Sequence, residues 1–229
     1  MARLALKLAI VAAALWATGI AGWLALGFKN WEWHERLTLE VETPTGTISG
    51  GSVVAVKAGT TPKWLPGEGA GGMGSKTIGE ASFVEVSPGK YLFALLGNEL
   101  DRTLTIFLPE IEDTKDRAAE LETLRETRDV PRKKYPLLVT FLDIAEPRTV
   151  QKVDPDNLAA SFGPGVILKR ITLEITDDGV TKGGIGAVLG WLNDPAVMEN
   201  PGWSSLPIES RRAIGALLSH FPDSKGLRE

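Results

Sequence analysis

Alternation of apolar and polar side chains in the first third of the chain predicts a β-hairpin. Residues 37–42 alternate strictly, which is the pattern of a strand with one buried face. After a Pro-Thr-Gly turn, an apolar run predicts a second strand within residues 47–57. Gly50 and Gly51 in the first half of that strand indicate a bulge or a place where another backbone comes close.

Four later segments have strand patterns. Residues 81–86 and 91–96 flank a Ser-Pro-Gly-Lys turn and predict a second hairpin. Residues 102–108 alternate and predict another strand, and the apolar run 135–142 predicts a central one. These segments indicate an α+β domain built on a mainly antiparallel sheet, with a few surface helices.

The strand predicted over residues 166–176 changes parity along its length. Its first two apolar residues, Val166 and Leu168, share one face, but the apolar residues from Ile171 onward fall on the other. One extra residue in a strand restores the buried face after such a change. A bulge is therefore expected near Lys169 and Arg170.

Helical patterns are fewer. Residues 112–129 are rich in charge with a narrow apolar stripe, which predicts a surface helix. Asp154 before Pro155 predicts the N-cap of a short helix. Further helices are expected over residues 186–192 and 208–221; the second is amphipathic and either docks on the domain or binds a partner. The glycine-rich residues 59–79 predict a long loop.

The N-terminal segment has no periodicity of this kind. Residues 8–28 carry no charge and only one polar side chain, Thr18. A helix of that length extends about 32 Å, which matches the ~30 Å core of a bilayer. The segment predicts an uncleaved transmembrane helix, with a cleaved signal peptide as the alternative. Arg3 and Lys7 favour a cytoplasmic N-terminus and an exported C-terminal domain.

The two tryptophans that follow this segment and a row of small residues within it can each be interpreted in two ways. Trp31 and Trp33 are expected to lie at the outer membrane interface, with a ligand site at residues 31–35 as the alternative. A row of small residues at every fourth position favours close helix pairing and self-association, although alanine is also a common filler in such segments. The row consists of Ala9, Ala13, Ala17, Ala21 and Ala25.

These patterns divide the chain into three parts. Residues 1–29 form a leader with the transmembrane helix, and residues 30–193 form the α+β extracytoplasmic domain. Residues 194–229 form a C-terminal extension that carries the amphipathic helix.

Composition excludes several classes of function. The formal charge of −4 argues against nucleic-acid binding, and the absence of cysteine excludes disulfides and thiolate chemistry. The two histidines, His34 and His220, lie near the predicted membrane surface and the C-terminus, where neither suits a preorganised site. No catalytic, metal or cofactor-binding residue is therefore assigned.

Glycine-rich residues 69–74 match the dinucleotide-binding pattern GxGxxG, and residues 74–77 resemble an incomplete phosphate loop. Both motifs need a preceding strand and a following helix, and the sequence predicts a strand after them. Nucleotide binding is not expected. Asp143 at the end of the predicted central strand, with Asp154 or Asp156, is the first carboxylate pair to consider for acid–base chemistry or cation binding.

Several segments together resemble a family of uncharacterised single-pass, membrane-anchored proteobacterial proteins. They are residues 37–44 (LTLEVETP), 135–141 (YPLLVTF), 153–155 (VDP), 162–166 (FGPGV) and 169–176 (KRITLEIT). The resemblance covers roughly residues 37–192. It implies a bacterial envelope protein and assigns no functional residue, because that family has no established activity.

The sequence therefore predicts a membrane-anchored envelope protein that binds or scaffolds another envelope component without catalysis. The alternative is a periplasmic enzyme that acts on an envelope substrate through carboxylates such as Asp143. An accessory protein encoded by a phage or genomic island is a third interpretation.

Overall fold

The fold is α+β, with mainly antiparallel sheets and few helices. The computed structural model describes residues 26–67 and 69–194, together with the single positions 16, 19, 22, 211, 213, 216 and 217. The described residues fall into two compact units. One combines residues up to Trp31 with Lys57–Lys76, and the other combines Glu32–Val56 with residues from Thr77 onward.

Within the described ranges, nine strands form two sheets. The five-stranded sheet has the order β3-β2-β1-β9-β6 and the four-stranded sheet the order β4-β5-β7-β8. The strands are β1 Asn30–Thr43, β2 Gly46–Thr60, β3 Met73–Ile78, β4 Ser82–Ser87, β5 Lys90–Ala94, β6 Thr127–Asp129, β7 Leu138–Phe141, β8 Val150–Lys152 and β9 Ile167–Thr176.

Four α-helices are bounded within the described residues. They are α1 Glu99–Phe107, α2 Thr114–Leu121, α3 Ala159–Phe162 and α4 Gly184–Val188. Short 3-10 turns occupy Arg132–Lys134, Pro147–Thr149 and Gly190–Asn193. The expected helical segment around Trp191 is thus divided into α4 and a 3-10 turn.

Both predicted hairpins are present. A two-residue connection joins β1 to β2, and β4 pairs antiparallel with β5. The expected close approach at the paired glycines is confirmed, because a Cβ on Gly50 would lie 2.2 Å from the Phe83 carbonyl oxygen. A Cβ on Gly51 would lie 2.4 Å from the Leu37 carbonyl oxygen. Strand β2 therefore passes β1 and β4 at distances that only glycine permits.

The predicted bulge in β9 is confirmed by its register against β1. Glu40 faces Arg170, but Val41 faces Leu168, so Lys169 is the extra residue. Leu168 and Ile171 are both buried as a result, although their spacing would otherwise place them on opposite faces.

The prediction of a strand over residues 102–108 is wrong, because this segment lies in helix α1. The helix begins after Asn98, whose side chain accepts a 3.2 Å hydrogen bond from the Asp101 amide. Its buried positions include 99, 102, 103, 106 and 107, which recur at the spacing of one helical face. Glu99, Arg102 and Thr103 are polar, so the apolar residues alone gave the alternation of a strand.

Other boundaries differ from the predictions. The helix expected over residues 112–129 ends at Leu121, and β6 begins at Thr127. The loop expected over residues 59–79 is shorter, because β2 continues to Thr60 and β3 begins at Met73. Asp154 is not an N-cap: its carboxylate accepts from the Asp156 amide in a turn, and α3 begins only at Ala159.

The prediction that Trp31 and Trp33 lie at a membrane interface is also wrong. Strand β1 begins at Asn30, and both indoles lie on its buried side with exposed fractions of 8% and 3%. The Trp33 indole nitrogen donates a 3.1 Å hydrogen bond to Glu35.

An apolar cluster covers one face of the four-stranded sheet. Phe93 and Phe141 lie edge to face with centroids 5.6 Å apart, and Trp191 packs on Phe141 at 5.9 Å. Ala213 and Leu217, both helical, are buried in the same cluster. At these described positions the C-terminal helix docks on the domain, as its apolar face predicts.

Among the residues that the structure describes, no helix combines the length and apolar character needed to cross a bilayer. Most of the transmembrane helix predicted over residues 8–28 lies outside the described residues, as does the whole row of small residues from Ala9 to Ala25. Positions 16, 19 and 22 are helical.

Candidate functional site

The three aspartates considered for acid–base chemistry serve local roles. Asp143 follows β7, and its carboxylate accepts a 3.0 Å hydrogen bond from the Ala145 amide within a turn. Arg132 binds Asp156 through two hydrogen bonds of 3.0 and 2.6 Å and approaches Asp154 to 3.8 Å. The Arg132 guanidinium lowers the pKa of Asp156 through these bonds. A raised carboxyl pKa, which a general acid at neutral pH needs, is not produced by such pairing.

The two glycine motifs lack the surroundings that phosphate binding requires. Residues 73–78 form strand β3 rather than a helix, so no helix N-terminus follows Gly74 or Lys76. His34 lies on β1, where its Nδ1 atom is 2.6 Å from the Asp178 carbonyl oxygen. Within the described part of the chain, no group of three or more His, Cys, Asp or Glu side chains is arranged to hold a metal ion.

The most unusual chemistry lies in a buried ionic cluster, which we define as Glu35, Glu99, Arg102 and Thr103. Their exposed fractions are 1%, 1%, 6% and 0%. Arg102 Nη2 lies 3.1 Å from Glu99 Oε1 and 3.7 Å from Glu35 Oε1. Thr103 Oγ1 donates a 2.5 Å hydrogen bond to Glu35 Oε2. One cation thus lies between two carboxylates.

Further hydrogen bonds satisfy most of the remaining polar atoms of the cluster. The Gly97 amide donates to Glu99 Oε1 at 2.6 Å, and Thr77 donates to Glu99 Oε2 at 3.2 Å. The Trp33 indole shares Glu35 Oε2 with Thr103. Among the residues that the structure describes, Glu35 Oε1 and Arg102 Nε are buried without a hydrogen-bond partner. Glu35 is therefore the less completely satisfied of the two glutamates.

This difference has an electrostatic consequence. Burial, the largest influence, raises the pKa of Glu35 above its ordinary value, while Arg102 and Thr103 oppose the rise. Removing a carboxylate from water penalises its charged form unless strong partners replace the solvent. Arg102 lies 3.7 Å from Glu35 and also binds Glu99, so it does not fully replace the water that Glu35 loses on burial.

Two regular elements place these residues. Strand β1 buries every second residue from Trp31 to Thr43, and Glu35 lies in that buried row. On α1, Glu99, Arg102 and Thr103 lie on the same buried face as Ile106 and Phe107. Extending the alternation of residues 37–42 backwards would have placed Glu35 in the core. The sequence reasoning missed the cluster because it followed apolar residues only.

One residue outside α1 binds each end of this helix. Asn98 caps its N-terminus, and Arg128 Nη1 donates to the carbonyls of Ile106 and Phe107 at 2.9 and 3.0 Å. The Arg128 guanidinium also lies 5.4 Å from the centre of the Phe107 ring. A cation at a helix C-terminus stabilises the unpaired carbonyls there. The helix that carries three members of the buried cluster is thus held at both ends.

The arrangement suits structural specificity better than catalysis. Its polar atoms are turned towards one another, and the side chains are almost fully enclosed, so a substrate would reach them only after the packing opened. Buried ionic groups specify one packing arrangement because each alternative leaves a charge unpaired. We interpret the buried ionic cluster as a structural feature that fixes how α1 packs against β1.

An open groove of about 370 Å³ lies beside β9 and contains mostly charged side chains. Each of its four carboxylates is paired with an arginine. The pairs are Glu126–Arg128, Glu174–Arg36, Asp177–Arg125 and Asp178–Arg36. Arg36 serves both Glu174 and Asp178, so three arginines hold the four carboxylates of the groove, and each carboxylate already has a cationic partner.

Comparison with known proteins adds no family assignment. No protein-family model matches the chain, and no curated protein or solved structure shows significant similarity to it.

Proposed function

We propose that this chain is a single-pass inner-membrane protein whose extracytoplasmic domain binds or scaffolds another envelope component without catalysis. The observation that carries the proposal is the state of its carboxylates. Asp143 serves a turn, Asp154 and Asp156 face Arg132, and the glutamates of the buried ionic cluster are enclosed. Each candidate for acid–base chemistry therefore has a structural role.

The membrane anchor in this proposal rests on sequence and on local geometry. Residues 8–28 carry no charge, and the Leu26 amide donates a 3.0 Å hydrogen bond to the Gly22 carbonyl, as in a helix. The basic residues before this segment favour a periplasmic domain. The resemblance of residues 37–192 to single-pass proteins supports the same arrangement. Self-association through Ala9, Ala13, Ala17, Ala21 and Ala25 is an additional element of the proposal.

Combined alanine substitution of Asp143, Asp154 and Asp156 tests the absence of catalysis. We expect the triple variant to complement a deletion strain as well as the parent does, because these side chains hold only surface turns and an ion pair. Abundance and protease access in spheroplasts provide the control for folding and location. Loss of complementation by a folded, correctly located variant would favour the enzyme alternative.

Photo-crosslinking in cells tests the binding role. Leu142 and Ile167 are large apolar residues with exposed fractions of 73% and 58%, so they are suitable positions for the crosslinker. We expect at least one position to give a defined crosslink to a second envelope protein, and Lys90, the exposed first residue of β5, serves as the control. Crosslinks only between copies of the chain would favour self-association, and protection of the domain from protease in spheroplasts would contradict the topology.

A further inference from the structure

The loop between β2 and β3 has a defined conformation. The Gly71 amide donates to the Thr61 carbonyl at 2.9 Å, and the Thr61 amide donates to the Gly72 carbonyl at 3.0 Å. The Leu65 amide donates to the Pro62 carbonyl at 3.2 Å and closes a turn at the tip. These bonds fix the position of Trp64 relative to the ends of β2 and β3.

This loop contacts the end of the uncharged N-terminal run, which is residues 8–28. Trp64 Nε1 donates a 2.8 Å hydrogen bond to the Leu26 carbonyl, and Thr60 Oγ1 donates to the Gly27 carbonyl at 3.2 Å. Lys29 is paired with Thr60 through its amide and its carbonyl, each at 2.9 Å. Four hydrogen bonds therefore join the end of the run to β2 and its loop.

The geometry at Gly27 is that of a helix end. The Leu26 amide binds the carbonyl four residues earlier, and Gly27 has φ +87°, the conformation typical of the glycine that follows a helix. The last carbonyls of a helix have no partner within it. Here the Trp64 and Thr60 side chains supply the missing donors.

Trp64 is largely exposed although its indole N–H has a partner. Its N–H is used by the Leu26 carbonyl, while 58% of the residue remains exposed. The ring meets Phe28 edge-on, with centroids 6.3 Å apart at 90°. Leu26 and Leu65, exposed by 48% and 36%, extend this surface. We call these four residues, Leu26, Phe28, Trp64 and Leu65, the Trp64 patch.

We propose that the Trp64 patch inserts into the interfacial layer of the bilayer that residues 8–28 span, so that lipid covers it. This inference rests on the membrane anchor of the proposed function. Leu26 and Phe28 are the last residues of the predicted span, so a ring held against them lies at the depth of the lipid headgroups. Tryptophan is enriched at that depth, and a ring with its N–H already satisfied loses no hydrogen bond on entering lipid.

Charge near the patch agrees with a lipid partner. Lys29 and Lys63 are exposed beside it, next in sequence to Phe28 and Trp64 respectively. Basic residues beside aromatic and aliphatic ones are the composition of segments that lie in the interface of anionic membranes. Trp64 and Leu65 would thus take the interfacial position that the sequence suggested for Trp31 and Trp33.

Spin labelling of single cysteines tests the proposal directly. The chain contains no cysteine, so each introduced residue carries the only label. The full chain is labelled at Leu65→Cys, Gly19→Cys or Lys90→Cys and reconstituted into vesicles of phosphatidylethanolamine and phosphatidylglycerol at low protein-to-lipid ratio. Collision rates with oxygen, which enters lipid, and with a water-soluble nickel complex then report the depth of each label.

We expect the oxygen-to-nickel ratio at residue 65 to be several-fold higher than at residue 90 and lower than at residue 19. Gly19 is helical, and a Cβ added there would have no atom of the described residues within 4 Å, so its label reports the membrane span with little disturbance. A second variant, Trp64→Ser, should lower the ratio at residue 65 towards that at residue 90, while Trp64→Phe, which keeps an apolar ring, should retain most of it.

The three labels separate failure of this inference from failure of the anchor. A residue-19 label in lipid with a residue-65 label in water would overturn lipid contact of the Trp64 patch and leave the anchor intact. A residue-19 label in water would overturn both. If the ratio at residue 65 fell as protein was diluted with lipid, a second copy of the chain would be the occupant, and the proposal would be wrong.

Discussion

At the scale of single residues, the decisive feature is one carboxylate at a core position. Glu35 occupies the buried row of β1 between Trp33 and Leu37, where an apolar residue would need no partner. Because it is a glutamate, the opposing helix must supply Arg102 and Thr103. Its environment still disfavours the charged form, so the free energy of unfolding depends on pH through this residue.

Glu35→Gln should remove the pH dependence of stability that Glu35 contributes. The pKa of Glu35 is raised above its ordinary value of 4.5, so the folded chain retains its proton more strongly than the unfolded chain does. The free energy of unfolding of the parent therefore falls as pH rises from about 4.5 to the raised folded pKa. The stability of the variant relative to the parent should increase across that window, as measured by denaturant unfolding of the full chain in detergent.

Glu40→Gln provides a control of opposite sign. Hydrogen bonds from Lys169 and Arg170 lower the pKa of Glu40, so its contribution to stability is present above pH 4.5 and is lost as pH falls through the lowered folded pKa. The relative stability of this variant should decrease as pH rises through that lower window. If both variants changed in the same direction, the assignment of Glu35 would be incorrect.

Arg102→Met should be strongly destabilising, because it leaves Glu35 and Glu99 buried without their cation. Breaking a buried ion pair on one side costs about 3–5 kcal/mol. Lys134→Met is the matched control, since Lys134 forms an exposed pair with Asp101 and such pairs contribute about 1 kcal/mol or less. Unfolding midpoints of the two variants should differ clearly. Similar small losses would show that the buried ionic cluster contributes little.

At the scale of elements, the sequence predicted strands better than it predicted α1. The two hairpins and the β9 bulge follow from alternation and turn residues, which are local properties. Helix α1 was mistaken for a strand because three of its buried positions are polar, so its apolar residues alone do not show the helical period. Its local signal was Asn98 as N-cap, followed by Glu99 and Asp101 in the first turn.

Gly50→Ala tests the junction between β2 and β4. A Cβ at this position would lie 2.2 Å from the Phe83 carbonyl oxygen and 3.0 Å from the Val84 Cα. Backbone atoms cannot move aside cheaply, so we expect a loss of about 1–3 kcal/mol or more. Gly74→Ala on β3, with no atom within 4 Å of its Cβ position, should be nearly neutral. Thermal unfolding of both variants checks the difference, and equal midpoints would contradict it.

At the scale of the whole molecule, the C-terminal extension contributes to the core of the four-stranded sheet. Leu217 is 4% exposed and belongs to the cluster that contains Phe141 and Trp191. Within the described residues, Ala213 and Leu217 of the predicted extension therefore pack in the same cluster as the four-stranded sheet. The amphipathic pattern predicted an apolar face, and Leu217, the residue of that face that the structure describes, is buried against the domain.

Leu217→Ala should accordingly behave as a core substitution. Truncating a buried leucine costs about 2–5 kcal/mol, because apolar contacts are lost and a cavity remains. Arg211→Ala, at an exposed position of the same helical segment, should change stability by no more than about 0.5 kcal/mol. Denaturant midpoints of the full chain provide the comparison. Equal effects would mean that the helix does not contribute to the core.

Alternation, turn residues and one change of parity were enough to predict the α+β class, the two hairpins and the β9 bulge, and the paired glycines indicated a bulge or a close backbone approach at residues 50 and 51. Each follows from the spacing of neighbouring residues, which local sterics translate into structure. The ion pair of Glu35 with Arg102, the burial of Trp33 and the hydrogen bond from Trp64 to Leu26 become visible only once the chain is folded. These contacts join residues far apart in the chain, and their energies depend on partners that no local pattern specifies.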